Sequence, residues 1–125
     1  MLRFFLVEDS PVISENLIAT LAEMFNVDAL GCARDERSAV DWMLASDARC
    51  DLMIIDIFLK SGSGLEVLRR AKALRPEAKL VVLTNYATPD MRRRCDQLGA
   101  DKVFDKSAEL EQLLTYCESL LSGTA

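Results

Sequence analysis

The chain has 125 residues, about the length of one domain, and half of them are apolar, which is enough to build a buried core. Its net charge of −5, from 15 Lys and Arg against 20 Asp and Glu, argues against direct nucleic-acid binding, which needs a basic surface. The apolar pattern begins at Leu2 without the basic region and cleavage site of a signal peptide, and no apolar run approaches a membrane span, so we expect a cytoplasmic protein.

The cysteine and histidine content leaves little basis for a zinc site. Four cysteines are present, none belongs to a CxxC pair, and the chain has no histidine. We expect the cysteines to be reduced and to pack as small apolar residues: Cys32, Cys50, Cys95 and Cys117.

Short β-rich apolar runs alternate with helical periodicity five times along the chain. Several of these runs are apolar almost throughout, which is typical of parallel strands that are covered on both faces. The predicted strands are Leu2–Val7, Val27–Ala33, Leu52–Asp56, Lys79–Thr84 and Lys102–Phe104.

Each predicted strand is followed by a segment that begins with a helix-capping residue and carries an apolar stripe. In chain order, the predicted N-caps are Ser10, Asp35, Ser63, Thr88 and Ser107. Pro11 and Pro89 suit the first helical position, and Gly99 suits the left-handed end of the fourth helix. The predicted inner faces include Ile13, Leu17, Leu21 and Met24 in the first helix, Ala39, Val40, Met43 and Leu44 in the second, and Leu110, Leu113, Leu114, Cys117 and Leu121 in the last.

Strand–helix alternation of this kind implies right-handed crossovers and an α/β fold, a single doubly wound sheet of five parallel strands with five helices. Five strands suggest the flavodoxin-like order 2-1-3-4-5. Because no linker or low-complexity segment interrupts the pattern, we expect residues 1–125 to form one domain.

Polar side chains follow four of the predicted strands, at the edge where open parallel sheets bind ligands. Glu8 and Asp9 follow the first strand, Asp56 and Thr84 end the third and fourth, and Lys106 lies just beyond the fifth. Each of these residues alone has an ordinary explanation as a cap, a strand terminus or a surface lysine, so the prediction of a functional site rests on their combination.

Three neighbouring carboxylates need a compensating cation, and oxygen ligands without histidine or cysteine favour Mg2+. A carboxylate can also attack phosphorus and form an acyl phosphate.

Almost the whole chain resembles the response-regulator receiver family of two-component signalling. The resemblance is carried by residues 6–10, by 55–56 followed by 62–65, by 82–84, and by 99–101 leading to Lys106. It implies that Asp56 is the phosphoacceptor, that Thr84 is the phosphate-sensing hydroxyl and that Lys106 is the charge partner. It also implies that Mg2+ is held by Glu8 and Asp9, directly or through water, by Asp56, and by the backbone carbonyl of Phe58.

The sequence departs from the family pattern at four positions. Glu8 replaces a more frequent aspartate, and Asn85 follows Thr84 where a smaller residue is usual. Val103 stands where the family commonly has an aromatic switch residue, with Tyr86 or Phe104 as possible substitutes, and we expect the stiff valine to stay packed. Ser107 replaces a proline whose preceding bond is typically cis in the family.

The resemblance implies a phosphorylation-dependent switch rather than a metabolic enzyme. It would take its phosphoryl group from a histidine kinase, a phosphotransfer protein or a small acyl phosphate, catalyse only its own phosphorylation and slow hydrolysis, and act on an unknown downstream protein without contacting nucleic acid or membrane. The run Arg92-Arg93-Arg94 is interpreted as a solvated helix face, with a partner surface as the alternative. The chain ends at Ala125, just past the last predicted helix, so it is either a stand-alone receiver or one cut from a longer regulator.

Two other functions remain open at this point. A degenerate receiver would act only as an interaction module, which the intact set of Asp56, Thr84 and Lys106 makes less favoured. An aspartyl-phosphate hydrolase would carry its nucleophile after the first strand with a second Asp two residues on, whereas this chain has Glu8-Asp9-Ser10-Pro11 there.

Overall fold

A computed structural model describes residues 1–124, and in this range five strands alternate with five helices. The strands are β1 (Leu2–Val7), β2 (Val27–Ala33), β3 (Leu52–Ile55), β4 (Lys79–Thr84) and β5 (Lys102–Asp105). The helices are α1 (Pro11–Met24), α2 (Glu36–Ala45), α3 (Gly64–Leu74), α4 (Pro89–Gln97) and α5 (Leu110–Ser122). No helix within residues 1–124 is both long and apolar enough to cross a membrane.

The strands form one parallel sheet in the order β2-β1-β3-β4-β5, which confirms the predicted fold and topology. Because all strands run the same way, their carboxyl ends meet at one edge of the sheet. Strand β3 stops at Ile55, one residue earlier than predicted, so Asp56 begins the loop that follows it. Strand β5 runs one residue further than predicted, to Asp105.

The core lies in two layers, one on each face of the sheet. Successive residues of a strand point to opposite faces, so β1 places Phe5 and Val7 under α2, α3 and α4, and Phe4 and Leu6 under α1 and α5. This two-sided burial explains why the central strands are apolar at nearly every position.

Four of the five predicted N-caps are confirmed. Ser10, Asp35, Ser63 and Thr88 each accept a hydrogen bond from a backbone N–H in the first turn of their helix. The prediction for Ser107 was wrong, because α5 begins at Leu110 and the residue before it is Glu109. Ser107 lies in the preceding turn, where its N–H donates to Oδ1 of Asp105 at 2.8 Å.

Several predicted inner-face residues are exposed instead. On α1 the buried residues are Ser14, Leu17 and Leu21, while Ile13 and Met24 face solvent. Ser14 can take an inward position because its hydroxyl donates to the carbonyl of Pro11 at 3.0 Å. Leu44 on α2 and Leu110 at the start of α5 are also exposed.

The cysteines are free thiols, but one of them departs from the prediction. Cys50, Cys95 and Cys117 are buried as expected, whereas Cys32 is exposed. Cys32 lies on β2, which has a neighbouring strand on one side only and carries few fully buried residues. A side chain on such an edge strand is not covered as it would be in the centre of the sheet.

Candidate functional site

The backbone just past the strand ends remains hydrogen-bonded to neighbouring strands, and this positions the candidate residues. The N–H of Glu8 donates to the carbonyl of Ala33 at 2.9 Å, and the N–H of Asp56 donates to that of Val7 at 2.9 Å. The N–H of Lys106 donates to the carbonyl of Thr84 at 3.0 Å. Asp56 is therefore held beside the end of β1, and Lys106 beside the end of β4.

Three carboxylates converge at this edge. Glu8, Asp9 and Asp56 each offer a carboxylate oxygen, and these oxygens lie within 4.8 Å of one another. Glu8 and Asp56 are 2% and 7% exposed. Such a cluster repels itself strongly in a poorly solvated position, so a cation is needed to stabilise it.

The ammonium group of Lys106 supplies part of that positive charge. Its Nζ donates to Oδ2 of Asp56 at 2.7 Å and to Oε1 of Glu8. The other oxygen of Glu8 accepts from the N–H of Ser10 at 3.1 Å. One ammonium against three carboxylates leaves two formal negative charges, which matches the charge of one divalent cation.

The pKa values of Glu8 and Lys106 are both shifted by this environment. Burial raises the pKa of Glu8 above its ordinary value, and this effect exceeds the opposing effect of its hydrogen bond to Lys106. Burial by itself lowers the pKa of Lys106, but the hydrogen bonds to Asp56 and Glu8 outweigh it and leave the pKa above its ordinary value. Lys106 therefore remains an ammonium ion at neutral pH.

Thr84 presents a fully buried hydroxyl group at the end of β4. Its Oγ1 accepts a hydrogen bond from the N–H of Tyr86 at 3.3 Å. Since a hydroxyl both donates and accepts, its hydrogen can still be donated to another oxygen.

The loop after Asp56 is closed by local contacts. Phe58 forms an isolated antiparallel bridge with Ser63, and the N–H of Gly64 donates to the carbonyl of Ile57 at 2.8 Å. The Phe58 ring packs against the Tyr86 ring with centroids 4.3 Å apart, so the loops after β3 and β4 touch. That the Phe58 carbonyl binds a metal stays a prediction.

Three residues around Lys106 were missed by the sequence analysis. Arg92, Asp105 and Glu109 form a hydrogen-bonded network beside it. Of the run interpreted as a solvated helix face, Arg93 and Arg94 are exposed, whereas Arg92 is only partly so. Nothing in the local sequence distinguishes Arg92, because its carboxylate partner lies seventeen residues away.

The positions that depart from the family pattern have ordinary backbone geometry, since no residue other than glycine has a positive φ within residues 1–124. Val103 is 9% exposed, as expected for a valine that stays packed. The peptide bond between Lys106 and Ser107 is trans, in common with the other peptide bonds of residues 1–124. The Ser107 hydroxyl donates to Oδ1 of Asn85 at 3.2 Å, which joins the loops after β5 and β4.

The family model of the response regulator receiver domain matches residues 4–118. The chain belongs to this family. Among its curated relatives is response regulator MprA of Mycolicibacterium vanbaalenii, which is 32% identical over 122 residues that cover 98% of this chain and 51% of that protein. This chain thus spans about half the length of the curated relatives it matches.

Solved structures agree with this assignment. The receiver domain of the putative response regulator NarL from Mycobacterium tuberculosis superposes with a TM-score of 0.79 at 18% identity, covering 93% of this chain and 94% of that one, which supports the fold. A response regulator from Burkholderia pseudomallei has a TM-score of 0.77 at 25% identity, over 100% of this chain and 74% of that one. That protein was solved with a phosphorylated aspartic acid, a calcium ion and citrate. The chain is a receiver domain of the two-component response regulators. The receiver-domain family is not a classical enzyme family.

Proposed function

We propose that this receiver is a phosphorylation-dependent switch that accepts a phosphoryl group on Asp56 from a histidine kinase or a phosphotransfer protein, in the presence of Mg2+. The observation that carries the proposal is the partly buried contact of the Lys106 ammonium with both Asp56 and Glu8, beside a cluster of three carboxylates. Residues 1–125 would form the whole receiver domain.

The roles of the residues follow from their chemistry. A carboxylate oxygen of Asp56 attacks phosphorus, the bond between phosphorus and the donor breaks, and the donor's leaving group keeps the electron pair. Lys106 keeps an ammonium group beside Asp56 as the phosphoryl oxygens arrive, and the Thr84 hydroxyl donates a hydrogen bond to one of them. The only reactions expected are this transfer and the slow hydrolysis of the acyl phosphate.

The metal would be held by the carboxylates of Glu8, Asp9 and Asp56 and by the backbone carbonyl of Phe58. This donor set fits Mg2+, because it consists of hard oxygen ligands and carries the excess negative charge described above. When bound, Mg2+ neutralises negative charge on the transferring phosphoryl group. Glu8 is already engaged by Lys106 and by the N–H of Ser10, which favours Asp9 as the more available ligand.

The output of the switch would pass to a downstream protein. The net charge of −5 gives no support to direct nucleic-acid binding by this chain. The four free thiols support a reducing compartment such as the cytoplasm.

Treatment with acetyl phosphate followed by intact-mass measurement tests the proposal. We expect one added phosphoryl group in wild type with Mg2+, and none in Asp56→Asn or in the presence of a chelator. Equal labelling of Asp56→Asn would refute the assignment of the acceptor. Absence of labelling in wild type would favour the degenerate interaction module, and sustained release of phosphate over many turnovers would favour a hydrolase.

A further inference from the structure

We propose that Arg92 is a positioning residue that ties the loop following Thr84 to the strand and turn on either side of Lys106, and so holds the Lys106 ammonium next to Asp56. The inference rests on the proposed function and extends it to a residue outside the carboxylate cluster. It is carried by the contacts that a single guanidinium group makes with three different segments.

Each nitrogen of the Arg92 guanidinium has its own partner. Nε donates to the carbonyl of Ala87 at 3.1 Å, three residues past Thr84. Nη1 donates to the carbonyl of Val103 at 2.8 Å, three residues before Lys106. Nη2 forms an ion pair with Oε1 of Glu109. This use of the rigid, planar donor array is specific to arginine, since a lysine carries all three of its N–H donors on one nitrogen and cannot spread them over these partners.

The network continues from Glu109 to both neighbours of Lys106. The same Oε1 of Glu109 accepts a hydrogen bond from the N–H of Asp105 at 3.0 Å. Oδ1 of Asp105 then accepts from the N–H of Ser107 at 2.8 Å and from that of Ala108 at 3.0 Å. The backbone on either side of Lys106 is thereby restrained by side chains, although Ser107 lacks the restricted backbone of a proline.

Arg93, next to Arg92 on α4, forms an ion pair that is more exposed and more local than that of Arg92. Arg93 pairs with Asp90 within the same helix, and the two side chains are 67% and 73% exposed. The side chains of Arg92 and Glu109 are 37% and 30% exposed, and their contact joins α4 to the residue that precedes α5. An exposed pair within one helix contributes little, whereas the partly buried contact links separate elements.

The test measures beryllofluoride binding in the presence of Mg2+ by calorimetry, with urea unfolding as a check on folding. We expect Arg92→Gln to weaken beryllofluoride binding by about 5-fold or more. Arg93→Gln, which removes the same charge from the same helix, should change it by less than about 2-fold. In a Lys106→Ala background, Arg92→Gln should have almost no further effect, because the residue on which it acts has been removed. Arg92→Lys keeps the positive charge but loses the three contacts, so it should also weaken beryllofluoride binding. If Arg92→Gln does not fold, Arg92→Lys takes its place in the comparison.

Two results would overturn the inference while the proposed function stands: equal effects of Arg92→Gln and Arg93→Gln, or an effect of Arg92→Gln that persists in full in the Lys106→Ala background. If wild type binds no beryllofluoride, the proposed function fails, and amide exchange of the metal-free protein decides the positioning role. We expect faster exchange at Ser107 and Ala108 in Arg92→Gln than in Arg93→Gln. Equal amide exchange at Ser107 and Ala108 in the two variants would overturn the inference in that case.

Discussion

Lys106 is the residue on which the charge balance of the carboxylate cluster depends. Its ammonium group has lost much of its contact with water, which is unfavourable, and it regains stabilisation from Asp56 at 2.7 Å and from Glu8. Because two carboxylates share one ammonium, the cluster retains a negative charge that favours a divalent cation. Glu8 and Asp9 then differ in availability, since Glu8 is buried and hydrogen-bonded while Asp9 is partly exposed.

The first prediction compares these two carboxylates. Asp9→Asn should weaken Mg2+ binding by about tenfold or more, and by more than Glu8→Gln, because Asp9 is the more exposed carboxylate and Glu8 is already engaged by Lys106 and Ser10. The metal-free Asp9→Asn protein should also unfold at a slightly higher temperature, since one of three repelling carboxylates is gone. Calorimetric titration and thermal unfolding give the two measurements. Wild-type affinity in Asp9→Asn would contradict the role of Asp9.

A second prediction concerns the buried thiol of Cys117. Burial raises the pKa of this thiol from 9.0 to about 11. Between these two pH values the thiol ionises in the unfolded chain but not in the folded one, so ionisation favours unfolding. The free energy of unfolding should therefore fall as pH rises from 9 to 11, by at most about 3 kcal/mol for this group.

Urea unfolding of wild type and Cys117→Ala across this pH range measures the effect. The variant should be less stable at pH 8 because of the cavity it creates, but its stability should fall less steeply above pH 9. Parallel curves for the two proteins would show that Cys117 does not contribute to the pH dependence. Cys50, whose pKa burial also raises to about 11, should account for part of the slope that remains.

At the scale of elements, the start of α3 is built around the backbone of Asp56. A Cβ atom added to Gly64 would lie 1.9 Å from the carbonyl oxygen of Asp56 and 2.6 Å from Cα of Ile57. Neither atom belongs to a flexible side chain, so a larger residue would displace the loop that carries Asp56. Gly64 therefore allows α3 to approach β3 closely enough to close that loop.

The third prediction is that Gly64→Ala strongly reduces labelling of Asp56 by acetyl phosphate, because the backbone of Asp56 and Ile57 must shift. Gly123→Ala is the matched control. Its Cβ would meet nothing within 4 Å, and its cost of about 1 kcal/mol should come from the positive φ alone. Intact-mass labelling and urea unfolding of both variants separate loss of the site from loss of stability. Wild-type labelling of Gly64→Ala would contradict the close approach.

The end of α2 depends on an arginine from another part of the chain. Arg75, just past α3, donates to the carbonyls of Met43, Ser46 and Ala48 at 3.2, 2.6 and 2.8 Å. Its guanidinium also lies 4.9 Å from the ring centroid of Trp42, which stacks on Phe5. The Met43 carbonyl, in the last turn of α2, is one that the helix itself leaves without a partner, and the Ser46 and Ala48 carbonyls follow just beyond the helix.

At the scale of the whole molecule, a change at Asp56 has to reach a surface that another protein can contact. Oγ1 of Thr84 accepts a hydrogen bond from the N–H of Tyr86, so movement of the Thr84 hydroxyl would disturb the loop before α4. Val103 is packed, and its short, stiff side chain cannot swing between buried and exposed positions as an aromatic side chain can. Tyr86 is exposed and contacts Phe58, which leaves it available to report a shift of this loop.

The fourth prediction is that beryllofluoride with Mg2+ changes amide exchange in residues 85–90 and in α4. The Thr84 hydroxyl should move toward the phosphoryl mimic and bias this segment toward a second conformation. Thr84→Ala should lose the response. Thr115→Ala should keep it, since the Thr115 hydroxyl lies in α5, away from this loop, and donates a hydrogen bond to the carbonyl of Glu111 in the same helix. The same response in wild type and Thr84→Ala would show that the hydroxyl takes no part in the switch.

The sequence by itself determined the order of elements, the parallel sheet and the convergence of Glu8, Asp9, Asp56, Thr84 and Lys106 on one edge. Strand and helix patterns are local, and the ends of parallel strands meet at one edge whatever the packing details, so these features follow from periodicity and position. Local capping preferences likewise identified Ser10, Asp35, Ser63 and Thr88. At Ser107 the same preference gave a wrong prediction, because the Asp105 and Glu109 side chains accept the backbone hydrogen bonds of this turn and α5 begins later.

Only the tertiary structure decided which polar groups meet across the chain. The contact between Arg92 and Glu109 spans seventeen residues, and that between Arg75 and Met43 spans thirty-two. The exposure of Cys32, Ile13 and Leu44 was also decided at this level, since it depends on which neighbours cover each side chain. A local sequence pattern indicates whether a segment favours a helix or a strand. These contacts depend instead on how distant segments lie relative to one another, which only the packing of the sheet and helices establishes.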